Sequence, residues 1–285
     1  MYLEYFCKDL SFPFLIQHGQ HEEDMFIHTH ADFSELVIVV SGSAIHVVGK
    51  ESFAIQKGDV FVINRGTSHG YINAEGFQIC NIMFRPEDLF QEPFAFNASE
   101  GFQALFVVEP YLTKKNQFKS RLTLDVKEFE VVYDIIEQMQ KEYDQALVGN
   151  QVALRSMFYL LIVKLSRIYT FPDKIKGFQA INIAKSVSFI EQHYSNKLTL
   201  KQLAKISYMS ERNFSRVFVN AYGMTPFTYI TNVRLTNAKR LLQTSNLSIS
   251  LISEQCGFTE NSFFTRCFHK KYGLSPSQYR KAKCE

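Results

Sequence analysis

No segment of the 285-residue chain is apolar for long enough to cross a membrane. The longest strongly apolar run, Met157 to Val163, falls far short of the roughly 20 residues required. The first residues, MYLEYFCKDLSFPF, lack a basic leader followed by an apolar stretch and a small-residue cleavage site, so a cytoplasmic location is expected. The five cysteines, Cys7, Cys80, Cys256, Cys267 and Cys284, are scattered and form no C-x-x-C pair, which argues against a disulfide framework or a zinc cage. What the chain does have is a 46% apolar content, enough to bury two ordinary cores.

Negative charge is scarce at one end. Residues 179–285 hold 15 Lys and Arg against 5 Asp and Glu, whereas residues 1–178 hold 16 against 23, so a basic region of net +10 is joined to an acidic one of net −7. A polyanionic partner for the C-terminal part is one reading of that division and a merely solvated basic surface is the other. Charge alone does not separate them.

The patterning changes along the chain. From Phe26 to about Phe84 apolar and polar residues alternate in short runs broken by Gly, Asn and Asp, as in ELVIVVSGSAIHVVGKESFAIQKGDVFVIN, which predicts consecutive antiparallel strands packed as a barrel or sandwich. Leu122 to Ala146 and Val152 to Tyr169 carry apolar residues at three and four spacing and predict two amphipathic helices. Residues 170–178, with Pro172 and Gly177, read as a linker, and everything beyond reads as helical. The expected division is therefore 1–120, 121–169, 170–178 and 179–285, in an α+β chain.

The C-terminal part contains an internal duplication. Phe214, Arg216, Phe218, Tyr222, Gly223, Pro226 and Tyr229 each recur 50 residues later, as Phe264, Arg266, Phe268, Tyr272, Gly273, Pro276 and Tyr279. One structural unit is used twice. In the first copy Leu200, Leu203, Ala204 and Ile206 make a short apolar helix face, Tyr208 and Met209 a turn, and Ser210 an N-cap for a helix reaching Tyr222 and stopped by Gly223. Phe214, Val217, Phe218 and Ala221 face inward there, with Arg212, Ser215 and Arg216 outward. In the second copy Ile249, Ile252 and Ser253 form the supporting helix, Gly257 and Phe258 the turn, and Glu260 to Tyr272 the second helix, with Ser262, Thr265 and Arg266 outward. Each copy predicts a helix-turn-helix. Its second helix suits the major groove of B-form DNA, where Arg pairs with guanine and Asn, Ser or Thr meets other base edges. The helix between the copies, Pro226 to Thr244, has 19 residues and spans about 28 Å.

These segments, LTLKQLAKISYMSERNFSRVFVNAYGMTPFTYITNVRLTNAKRLL and ISLISEQCGFTENSFFTRCFHKKYGLSPSQYRK, resemble the two-unit DNA-binding domain of the AraC family of bacterial regulators over about 90 residues. The resemblance implies a transcription regulator, not an enzyme, that binds double-stranded DNA. It places Arg212, Asn213, Ser215 and Arg216 on the first recognition helix and Asn261, Ser262, Phe263 and Arg266 on the second. Phe263 departs from the usual polar choice, and contact with a thymine methyl and simple packing both remain open. The resemblance further implies dimerisation through the helices between Leu122 and Tyr169, RNA polymerase as a partner, activation as the sign of control and a nucleoid-associated location.

The other constellation is His28, His30, Glu35 and His69. HTHADFSELVIVVSG and GDVFVINRGTSHGYIN resemble the two signature segments of the cupin β-barrel, whose histidines and glutamate can surround a metal, although Glu22 and Asn64 stand where Gly and Pro are usual. A pocket for a small organic effector bounded by these residues is the leading reading. A metal and buried hydrogen-bonded side chains are the other two, and no cofactor is required. Tyr71, one strand step beyond His69, reads equally as an effector contact or a core tyrosine. The segment CKDLSFPFLIQHGQHEED resembles an arm that precedes the barrel and closes over the ligand. HTHADFSELVIVVSGSAIHVV, GDVFVINRGTSHGY and GFQALFVVEP are most similar to the rhamnose-responsive branch, which implies a sugar or sugar-derived effector.

Overall fold

The computed structural model describes residues 1–21, 24–89, 95–110, 122–169 and 178–281. The chain divides into two compact units, Met1–Ala184 and Lys185–Glu285. Glu22 and linker residues 170–177 lie outside the described residues, and Phe178, expected in the linker, opens a helix. No helix among the described residues is long and apolar enough to cross a membrane.

Among the described residues the first unit is built on one antiparallel sheet of seven strands: β1 (Phe14–His21), β2 (Met25–Thr29), β3 (Ser34–Val48), β4 (Glu51–Gln56), β5 (Asp59–Ile63), β6 (Ser68–Phe84) and β7 (Leu122–Thr123). β3 and β6 run the length of it as a paired spine, with Glu35 opposite Met83 at one end and Val48 opposite His69 at the other. β1 extends the sheet along β6 and β5 extends it along β3 at the first end, while β2 and β4 do the same at the second. The spine is broken by register shifts between Val39 and Ile45. Gly42 sits there at φ +67°, and a Cβ on it would lie 2.2 Å from the Gly76 carbonyl oxygen, so only glycine permits this approach. The bend folds the sheet over itself. Its inner face buries Val37, Val39, Ile55, Phe61, Ile63, Tyr71, Phe77 and Ile79.

Besides shorter helical segments, two long helices are described on this unit, α1 (Val126–Gln145) and α2 (Asn150–Tyr169). α1 starts with a reciprocal capping box, in which Asp125 accepts from the Glu128 amide and Glu128 accepts from the Asp125 amide. Leu122 and Thr123, expected as the first turn of that helix, instead pair with β5, because the box fixes the helix start at Val126. Phe158 of α2 is fully buried against Phe14 of β1 and Phe84 of β6, at ring separations of 5.5 and 5.0 Å. The arm-like segment is corrected over Phe14–His21. Phe14–His21 pairs residue for residue with Phe77–Phe84 and is an integral strand of the sheet, with Phe14, Leu15 and Ile16 in the core.

The second unit is helical. The division between the units falls within α3 (Phe178–His193), and after it come α4 (Leu200–Ile206), α5 (Glu211–Tyr222), α6 (Pro226–Thr244), α7 (Ile249–Gln255), α8 (Asn261–Tyr272) and α9 (Pro276–Lys281). Each duplicated segment folds alike. Phe218, Tyr222 and Tyr229 form an aromatic cluster with Phe218 edge-on to Tyr229 at 5.6 Å, and Phe268, Tyr272 and Tyr279 repeat it with Phe268 edge-on to Tyr279 at 5.6 Å. Gly223 and Gly273 end α5 and α8 at φ +68° and +76°, and Pro226 and Pro276 are buried at the starts of the next helices.

Candidate functional site

His28 and His69 are direct cross-strand partners on β2 and β6, and His30 follows two residues after His28. Glu35 opens β3 at the opposite end of the spine from His69, some 13 residues or about 43 Å away along a flat strand. The folded sheet nonetheless brings Glu35 Oε2 to 3.7 Å from the Nε2 of both His30 and His69. His30 Nε2 lies 3.2 Å from His28 Nε2 and 3.4 Å from His69 Nε2. The four residues predicted to gather therefore do so. His30, Glu35 and His69 are buried and His28 forms the partly exposed edge.

Burial controls the charge of this cluster. It lowers the His30 pKa to about 3, helped by the nearby His28, and raises that of Glu35 to about 8. Burial also lowers His28 and takes His69 well below the usual imidazole range. All four groups are neutral around pH 7, so the Glu35 contacts are not ion pairs, and at 3.7 Å they are not hydrogen bonds either. The cluster cannot satisfy itself. A carbonyl only accepts, so His28 donates through Nδ1 to the Phe26 carbonyl at 3.1 Å and keeps a bare lone pair on Nε2. His30 Nε2 then faces two neighbouring nitrogens and bonds well to at most one. Glu35 Oε2, His30 Nδ1 and His69 Nδ1 have no hydrogen-bond partner among the described residues.

Two chemistries fit such a set. Neutral imidazoles and a protonated carboxyl at the edge of a fold can meet the hydroxyls of a polar organic molecule. They also fit a metal: two imidazole nitrogens bound tetrahedrally at about 2.0–2.1 Å lie about 3.3 Å apart, close to the separations seen, and the three histidine donor atoms all lie within 4.8 Å of one another. The Nδ1 bond of His28 is the kind of support that holds a ligating ring in place.

Tyr71 is 1% exposed and packs in the sheet core against Phe77, 5.2 Å away, and His46, 5.1 Å away. His46 was not singled out in the sequence. Its fully buried ring stacks on Phe61 at 4.7 Å and stands edge-on to His69 at 5.7 Å, which makes it the inner wall of the cluster. Its position opposite Tyr71, itself two residues from His69, follows from the register of β3 on β6, which the sequence alone does not give.

In the second unit Tyr208 takes φ +53° in the first turn and Gly257 φ +84° in the second, each followed by an amide bonded back across the turn, Met209 N to Ala204 O and Phe258 N to Ser253 O. Ser210 caps α5 by accepting from the Asn213 amide, whereas Glu260 precedes α8 without a side-chain cap bond. Phe214 and Phe218 of α5, and Phe264 and Phe268 of α8, are buried; Arg212, Arg216, Asn261, Ser262, Phe263 and Arg266 are exposed and Asn213, Ser215 and Thr265 half-buried. Arg216 donates to Asn213 Oδ1 at 2.9 Å, and Asn261 donates to Ser250 Oγ at 2.9 Å. Of the seven duplicated residues, six have a packing or capping role, and only Arg216 and Arg266 have none.

A polar buried cluster in a folded sheet, followed in sequence by two helix-turn-helix units, defines the class: a candidate ligand-binding domain joined to a DNA-binding domain. The AraC-like ligand binding domain model matches residues 12–160, and a helix-turn-helix domain model matches residues 203–282. The chain is 24% identical over 277 residues to the HTH-type transcriptional activator RhaR of Mannheimia succiniciproducens, covering 97% of this chain and 94% of the relative. It is 28% identical over 271 residues to RhaR of Escherichia coli strain K12, covering 92% and 89%. The DNA-binding domain of AdpA, solved in complex with a target DNA, is 32% identical over 35% of this chain and 91% of that one, with a TM-score of 0.35. The protein belongs to the AraC family and is a DNA-binding transcription regulator with a ligand-binding domain.

Proposed function

We propose that the chain is a dimeric, effector-responsive transcription activator and not an enzyme, with a sensor over 1–120, dimerisation helices over 121–169, a linker over 170–178 and a DNA-binding domain over 179–285. The effector is a sugar or sugar derivative held at His28, His30, Glu35 and His69. Binding changes how the two DNA-binding domains are offered to their half-sites and to RNA polymerase. One observation carries the effector reading. Buried polar atoms of His30, Glu35 and His69 lack hydrogen-bond partners, and leaving such groups unmet costs about 1–3 kcal/mol each unless a ligand meets them. Thermal melting against a panel of sugars tests it. A sugar at 100 times its dissociation constant adds about 2.7 kcal/mol to the sensor unit, a rise of roughly 5–10 °C. No shift with any sugar, or an undiminished shift in His30→Ala, removes the reading.

The convergence of three Nε2 atoms favours a second reading, in which a divalent transition metal occupies the same cluster. Elemental analysis and cobalt absorption then give about one ion per chain in the native protein and none in His69→Ala. A native protein that takes up no ion under saturating metal excludes it.

A further inference from the structure

We propose that Phe263 reads a thymine methyl in the major groove and at the same time carries Arg266 towards the neighbouring base pair. The inference rests on α8 being the second recognition helix. Each recognition helix places an arginine three residues after a side chain that holds it. In α5 that side chain is Asn213, which accepts a hydrogen bond from Arg216. In α8 the equivalent position is Phe263, and the Arg266 guanidinium carbon lies 6.0 Å from its ring centroid, at the outer limit of a cation–π contact.

The two devices leave the arginines differently equipped. Asn213 consumes one guanidinium N–H of Arg216, whereas a π-face consumes none, so Arg266 keeps its donors for a base edge. The ring of Phe263 is not accounted for by the core. Phe264, the next residue, is fully buried, but Phe263 remains 45% exposed, with the tilted ring of Phe258 at 6.2 Å on one side of it. It shares its open face with Ser262 and Arg266 in a strongly basic unit. The major groove presents one apolar group, the C5-methyl of thymine. Residues 263 and 266 are about 4.5 Å apart along the helix axis, against about 3.4 Å between base pairs, so they address adjacent pairs. The second helix-turn-helix is accordingly specific for a thymine next to a guanine.

The test uses the full chain and a DNA site selected from a random pool. Each thymine of the half-site held by α8 is replaced in turn by deoxyuridine, which removes the methyl and nothing else. At one position the unsubstituted protein binds about fourfold more weakly. Phe263→Ala binds thymine and uracil DNA equally there. Phe263→Leu keeps the thymine preference and loses part of the preference for guanine at the adjoining pair. The proposal is overturned if no uracil position weakens binding, or if Phe263→Ala retains the uracil penalty. If Arg266→Ala changes no base preference, α8 is not in the groove and the underlying reading fails with it. Uracil tolerance with an intact Arg266 preference overturns the thymine contact alone.

Discussion

Tyr208 and Gly257 occupy the same left-handed position in the two turns, one as a tyrosine at φ +53° and the other as a glycine at φ +84°. The tyrosine side chain is 80% exposed, so little packing compensates the backbone cost. Removing the Cβ in Tyr208→Gly relieves roughly 1–2 kcal/mol of left-handed strain, less the extra entropy a glycine loses on folding. The net expectation is about 0.5–1 kcal/mol of stabilisation, seen as a rise of a few degrees in the melting of the second unit. A fall in that melting temperature would mean that the turn gains something from the aromatic ring. At this scale the sequence was informative where chemistry is rare and spaced. Three histidines and a glutamate on alternating strands pointed to one place, although Glu35 and His69 meet only because the sheet bends. His46 was opaque because a histidine in an alternating run looks like any other inward residue until its ring is found between Phe61 and His69.

Among the elements, the duplicated helices were legible nearly to their ends, since Ser210, Gly223 and Gly273 are local signals whose caps act within a turn. β1 was not. Phe14–His21 contains the polar residues Gln17, His18, Gln20 and His21, and its strand character comes from pairing with β6, more than 50 residues away. β7 was lost for the same reason, being two residues held by β5. The bend of the long spine depends on Gly42, where φ is positive and the Gly76 carbonyl leaves no room for a methyl. Gly42→Ala must shift backbone on both strands, and a destabilisation of about 3 kcal/mol or more is expected in chemical denaturation of the first unit. Because the same bend brings Glu35 to His69, a folded Gly42→Ala protein should also show weakened ligand stabilisation. Native stability in that variant would place the fold's flexibility elsewhere.

For the molecule as a whole, a single recognition domain has to find its site among a vast excess of other DNA, and two linked copies convert the second contact into an intramolecular one. One surface open to such pairing in the first unit is the outer side of α2, where two apolar residues are exposed. Val152 is 72% exposed and Leu160 47%, two turns apart on one side, and Val131 on α1 is 43% exposed. The opposite side of α2, with Leu154, Phe158, Leu161 and Leu165, is already buried in its own unit, so Val152 and Leu160 are not used by that packing. Leu160→Asp places a charge on that side without altering a buried residue. The expected result is a monomer in sedimentation at micromolar concentration, with melting of the isolated chain within about 0.5 kcal/mol of the parent, because exposed substitutions rarely cost more. Affinity for a site with both half-sites should fall at least 100-fold as the avidity is lost, while affinity for a lone half-site stays the same. A variant that remains dimeric would place the subunit contact on another face. One that becomes monomeric yet binds the double site unchanged would show that each chain's two helix-turn-helix units suffice alone.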